Sequence, residues 1–197
     1  MLSRHFVGVI ESLIADGETY TDVSVAKLIQ TAKISRSAFY GYFDDKGDLL
    51  AAVAEEVTED VSLAGNAWWS LPDDAGKKEL LEALRPPVEA FRSHHAILRT
   101  VIEASFSDPR VRGPYHRLID GANAALADHI RTCQARGTIV PGLDPEPTAM
   151  WLNLMNERGL QFALSDAPDD EAEALLQALT EIIWRTLYEG VRDPGDW

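Results

Sequence analysis

Between Asp22 and Asp44 the chain has no acidic residue, yet Lys27, Lys33 and Arg36 all fall in that window. Around them Thr21, Ser24, Ser35, Ser37 and Tyr40 carry hydroxyls, and Lys46 adds a cation just beyond. Cations and hydroxyls set apart from acids are the groups that bond phosphate oxygens and base edges. Signatures of bond-making chemistry are missing: no glycine-rich phosphate loop, nucleophile elbow or zinc-protease motif stands in the sequence. The chemistry this window can do is recognition of a polyanion.

The whole-chain charge points the other way. With 18 Lys and Arg against 32 Asp and Glu the net charge is −14, which alone argues against a nucleic-acid partner. The distribution resolves the conflict: residues 1–50 hold about 5 cations and 7 acids, and the remainder about 13 and 25. The acidic excess belongs to the rest of the chain, where it discourages DNA from lying on the protein non-specifically. At 197 residues, 46% hydrophobic and 25% charged, the sequence has material for a full core. One cysteine, Cys133, rules out an internal disulfide and fits a reducing compartment. No apolar run is long enough for a membrane helix or a signal-peptide core, so the expected location is the cytoplasm.

The elements that position the window read at a period of 3.6, and the expected architecture is all-α with about nine helices. Phe6, Val9, Ile10, Leu13 and Ile14 form the apolar stripe of a first helix that Asp16-Gly17 ends. Ser24 caps a short helix through Ala32, with Val25, Leu28 and Ile29 on one face. Lys33-Ile34-Ser35 is then a tight turn, and Ser35 caps a second short helix, Arg36 to Phe43. The pair has the length of a helix-turn-helix, with Phe39 and Phe43 on its buried side and Arg36, Ser37 and Tyr40 outward. Lys46 opens the next helix, where free N–H groups favour a phosphate; that helix is expected to end before Leu71-Pro72. Pro86-Pro87 should kink or split a helix carrying Leu80, Leu84, Val88 and Phe91. Further helices are expected at about 95–106, 109–137, Pro145 to Leu164, and from Asp169 to about Glu189. The division drawn is 1–46 for the helix-turn-helix domain and 47–197 for a helical body.

In the body, Asn153 and Asn156 lie at i, i+3 among Trp151, Leu152, Leu154 and Met155. Two amides in so apolar a stretch need partners, because an unsatisfied buried amide costs about 1–3 kcal/mol. Either they orient an apolar ligand in a pocket, or they bond across a helix interface and fix its register. Trp184 with Tyr188, and Phe91 with Leu84 and Val88, have core spacing. His129 and Cys133 at i, i+4 lack neighbouring ligands for a metal, and His94-His95 reads as a surface pair at a helix start.

The run from Ser24 to Leu50, with Ser35, Tyr40, Phe43 and Lys46 at their spacing, resembles the DNA-binding module of the tetracycline-repressor family over about 45 residues. The resemblance implies a homodimer paired through its last two helices, a palindromic DNA operator, and release by a lipophilic small-molecule effector, with no cofactor, metal or membrane. It implies a DNA-binding set of Thr21, Ser24, Lys33, Ser35, Arg36, Ser37, Tyr40 and Lys46. The last two helices resemble a mycobacterial branch of that family, the ethionamide-resistance repressors. That likeness implies that Asn153, Asn156 and Trp184 line an apolar tunnel, with Leu84, Phe91, Trp151 and Tyr188 in the ligand set. Ala122 and Ala125 stand where that branch has aromatics, so the cavity should differ in shape. Lys33 occupies a turn position usually held by glycine, and only Arg4 stands where many members have a basic arm. An alternative is a small-molecule sensor or carrier with a vestigial helix-turn-helix; an enzyme using the body cavity is the least supported.

Overall fold

In the computed structural model, residues 2–191 are described. Among them are ten α-helices and no strand: α1 (Leu2–Ala15), α2 (Val25–Ala32), α3 (Arg36–Tyr40), α4 (Lys46–Ala64), α5 (Asn66–Trp69), α6 (Lys77–Ser93), α7 (His95–Ser105), α8 (Pro109–Arg136), α9 (Pro145–Gly159) and α10 (Asp169–Leu187). Nine have five residues or more, and α9 continues into a π turn, Leu160–Leu164. No helix among the described residues is long and apolar enough to cross a membrane.

The chain divides into two compact units, Met1–Asp60 with His94–Leu118, and Val61–Ser93 with Ile119–Trp197. Unit one thus takes in the helix-turn-helix, most of α4, α7 and the start of α8. In it, α1 buries Phe6, Val9, Ile10 and Leu13 and stops where Gly17 takes φ 89°. The Ser24 Oγ accepts the Lys27 N–H at 3.1 Å, the N-cap that the sequence predicts. At the other end of α2, Lys33 is left-handed (φ 55°, ψ 40°), and the N–H groups of Lys33 and Ile34 close on Gln30 O and Ile29 O. Ser35 then caps α3 by accepting the Ala38 N–H at 3.0 Å. α3 ends at Tyr40, not Phe43, and the last three residues continue as a turn whose Tyr42 and Phe43 N–H groups both reach Phe39 O.

Unit two is packed around Trp68, Leu80, Leu84, Leu126, Ile130, Ile183, Trp184 and Leu187, all buried. α4 ends before Leu71-Pro72, at Ala64 ahead of Gly65, a poor helix former, and the single turn α5 follows. Of the two outcomes expected of Pro86 and Pro87, the split does not occur: α6 is continuous from Lys77 to Ser93. Burial of Leu84, Val88 and Phe91 on one face outweighs the two backbone bonds those prolines remove. The helix that starts at Pro145 runs to Leu164, its expected end, changing from α to π geometry after Gly159.

The left-handed cap at Lys33 carries a penalty of about 1–2 kcal/mol for a residue with a Cβ. Lys33→Gly is therefore expected to raise stability by about 1 kcal/mol in urea denaturation, while Lys33→Ala leaves it unchanged.

Candidate nucleic-acid interface and effector region

α3 is too short to hold itself, so its orientation rests on its buried side. Phe39 is fully buried and Phe43 nearly so. Both meet Phe6 of α1 edge-on, with ring centroids 5.9 and 5.8 Å apart. The opposite side is open: Arg36 and Ser37 are exposed, Tyr40 is 45% exposed and Tyr42 71%. The Arg36 guanidinium lies 5.5 Å from the Tyr40 ring centroid, which limits both side chains to one region of the surface. Thr21, Ser24, Lys33 and Ser35 are exposed as well. Ser24 and Ser35 already accept backbone N–H groups as caps, and Ser35 Oγ lies 3.1 Å from Ser37 Oγ. Lys27 pairs with Glu18 at 3.2 Å.

Tyr42, more exposed than Tyr40, was not among the residues the sequence singles out. The Tyr-Gly-Tyr step beside the buried Phe39 and Phe43 was the available signal, since residues flanking two core positions of a short helix must face outward.

Lys46 departs from its expected role as a phosphate ligand. Its Nζ donates to the carbonyls of Tyr20, Thr21 and Val23 at 2.9, 2.7 and 3.0 Å, which uses all three ammonium protons. In return the Tyr20 hydroxyl donates to the Lys46 carbonyl at 2.6 Å. Burial pushes the Lys46 ammonium below its ordinary pKa and the Tyr20 phenol well above its own. The pair is a clamp between the start of α4 and the chain entering α2. The N-terminus of α4 is not an open anion site either. The Asp45 carboxylate accepts the Asp48 N–H at 2.8 Å, and Asp48 accepts the Asp44 N–H at 3.1 Å. Arg110 brackets this turn, donating to Asp45 at 3.1 Å and to Asp108 at 2.8 Å; with its backbone N–H partners, that holds the Asp45 carboxyl below the usual range. A Cβ at Gly47 would stand 2.3 Å from the Arg110 guanidinium, so the close approach requires glycine or a shift of Arg110.

His94 is not a surface residue. Its side chain is 18% exposed, with Nδ1 2.8 Å from Glu11 and Nε2 3.5 Å from Asp60. Arg4 is bonded to Glu56 and Asp60, which takes the one candidate for a basic arm into α1–α4 packing.

In unit two the structure separates the residues of the implied ligand set. Leu84, Trp184 and Tyr188 are packed in the core cluster, and Phe91 is also buried. The Tyr188 hydroxyl accepts the Trp68 indole N–H at 3.0 Å. Asn153 donates to the Asn123 side chain of α8 at 2.9 Å, a partner the sequence reading does not name. The Oδ1 of Asn156, one turn on, is buried with no hydrogen-bond partner. Trp151 does not belong with them: it is 67% exposed, on a stripe of α9 and the π turn with Met150, Leu154, Met155 and Phe162. A cleft of about 540 Å³ between α6 and α10 and another of about 320 Å³ beside α5 and α8 are both lined by other residues. Among the described residues no cluster of His, Cys, Asp or Glu is arranged to hold a metal.

A capped helix pair joined by a tight turn, with no acid between Asp22 and Asp44, is a helix-turn-helix. Comparison with known proteins gives the family. Residues 18–53 match the family described as "Bacterial regulatory proteins, tetR family", and residues 80–189 match "Transcriptional regulator EthR, C-terminal domain". The chain belongs to the TetR family of transcriptional regulators, with an EthR-type C-terminal domain; it is a DNA-binding regulator and not an enzyme. It is 31% identical over 184 residues to the HTH-type transcriptional regulator EthR of Mycolicibacterium smegmatis, covering 89% of this chain and 81% of that one. Identity to EthR of Mycobacterium tuberculosis is 28% over 181 residues, covering 91% and 83%. Among solved structures the fold is similar to the TetR family regulator PfmR of Thermus thermophilus, with TM-score 0.73 at 20% identity over 93% of this chain and 98% of that one. FadR of Bacillus subtilis in complex with stearoyl-CoA gives TM-score 0.72 at 17% identity over 91% and 96%.

If Lys46 is a clamp, Lys46→Met leaves three carbonyls without their donor and is expected to lower stability by about 2–3 kcal/mol in urea denaturation. Arg36→Ala should stay within about 0.5 kcal/mol of wild type in the same assay, because Arg36 is exposed.

Proposed function

We propose that the chain acts as a homodimeric repressor that reads a palindromic operator with α3 and is released by a lipophilic small molecule held in unit two. The observation that carries the reading is the division of α3 and its following turn. One side is committed to Phe6, and the other offers Arg36, Ser37, Tyr40 and Tyr42 to a major groove. Lys33, Thr21, Ser24 and Ser35 flank that face and are suited to phosphate contacts.

Dimerisation is supported by the outward stripe of α9 and the π turn, where Met150, Trp151, Leu154, Met155 and Phe162 leave an apolar surface that a second copy would cover. α10 exposes Ala174, Ala178 and Ile182 at i, i+4, i+8, the two alanines being small enough for close helix packing. In this reading Trp151 is an interface residue and leaves the ligand set. Effector binding is supported by the buried, unpartnered Oδ1 of Asn156 and by the FadR relative solved with an acyl-CoA. An apolar ligand with one hydrogen-bond donor would satisfy that oxygen. The leverage of such a ligand is its differential affinity for the state that does not bind DNA.

The test starts from operator duplexes enriched from a random library by the wild-type protein. Arg36→Ala with Tyr40→Ala is expected to lower affinity at least about 100-fold in a gel shift while sedimentation still shows a dimer. Wild-type affinity in the double variant would refute the recognition face. With Lys27, Lys33 and Arg36 as the cations near the DNA, a dimer carries about six, and the log–log salt slope should be near −5. Trp151→Glu with Leu154→Glu should give a monomer that has lost specific binding; a stable dimer would move the interface elsewhere.

A further inference from the structure

We propose that Arg36, laid on the ring of Tyr40, is the side chain that fixes one guanine in each half of the operator. The proposal rests on the reading of α3 as the element that enters the major groove. The Arg36 guanidinium lies over the Tyr40 ring, 5.5 Å from its centroid, one turn along the same helix. Tyr40 is itself braced: its ring meets Phe39 edge-on at 5.2 Å, and Phe39 is fully buried against Phe6 and Phe43. A line of rings thus runs from the core of unit one to a cation on its surface. A long side chain held this way has given up part of its rotamer freedom before DNA arrives, so less is lost on contact.

The donors of Arg36 select the base. A guanidinium that packs on a ring uses its face, while its N–H donors lie in its plane. Those donors are unspent, since Arg36 has no hydrogen bond or ion pair among the described residues. The other cations nearby differ: Lys27 pairs with Glu18 at 3.2 Å, and Lys46 gives its protons to three carbonyls. Lys33 is a point charge in the turn before α3, suited to a single phosphate oxygen. In the major groove only guanine shows two acceptors side by side, O6 and N7, which match the fork of a guanidinium. Adenine puts an amino donor next to N7, cytosine offers an amino donor, and thymine a single carbonyl beside its methyl group. Arg36 opens α3, and Tyr40, one turn on, holds the guanidinium over the outward face of that helix, the part that would meet base edges.

The experiment uses the full chain and the duplexes it enriches from a random library. Each half-site is expected to hold a guanine whose replacement by any other base weakens wild-type binding about ten- to hundredfold. The deaza analogue of that guanine, with C–H in place of N7, should weaken it about tenfold. Inosine, which lacks only the minor-groove amino group, should bind as guanine does. Arg36→Ala should bind the guanine duplex and its adenine replacement alike. Tyr40→Phe keeps the ring and should keep the guanine preference, while Tyr40→Ala should reduce it; loss of the preference in Tyr40→Phe overturns the role of the ring. A consensus in which no guanine depends on Arg36, or full tolerance of the deaza analogue, overturns the proposal. So does an Arg36→Ala protein that enriches the same guanine with uniformly weaker binding and a salt slope lower by about 2 per dimer, which puts Arg36 on a phosphate and leaves α3 in the groove. Wild-type affinity and consensus in Arg36→Ala with Tyr40→Ala would instead overturn the reading of α3 itself.

Discussion

The packing of Phe39 and Phe43 against Phe6 is the contact on which the proposed DNA-reading surface depends. A helix of five residues lies far below the length at which backbone bonds sustain it in water. What fixes α3 is one apolar side pressed into unit one, a serine cap at its start, and the left-handed turn at Lys33 that aims it. The face proposed to read DNA is therefore specified by residues on the buried side of α3.

Charge follows the same economy. Lys46, Arg4 and Arg110 are cations near the DNA-reading module, and all are held by carbonyls or carboxylates of the protein itself. The acid-free window leaves Lys33 and Arg36 as cations with exposed side chains, and Lys27 in a surface pair of small energetic weight. In a chain of net charge −14, the proposed operator binding then leans on hydroxyls, backbone N–H groups and the doubling that the proposed dimer would supply, more than on a broad basic patch.

Local chemistry was legible in the sequence and long-range partners were not. Ser24, Ser35, Gly17 and the aberrant Lys33 each act within four residues, so their caps and turns could be read from neighbours alone. The Phe6 partner of Phe39, the three carbonyls that hold Lys46 and the Asn123 partner of Asn153 lie 30 or 20-odd residues away, and no spacing rule names them. Trp151 shows the same limit from the other side. Its apolar neighbours suit an interior position or an exposed helix stripe equally well, and only the fold shows it 67% exposed. The prolines of α6 do not end the helix because burial of the surrounding face outweighs them.

The most direct test of this account is a structure of the dimer on an enriched operator duplex. The account predicts α3 in the major groove, with Arg36 and Tyr40 within about 3 Å of base or phosphate oxygens and nitrogens, and Lys46 still on the carbonyls of Tyr20, Thr21 and Val23. A complex in which α3 stands off the DNA, or in which Lys46 has left its carbonyls for a phosphate, would contradict it.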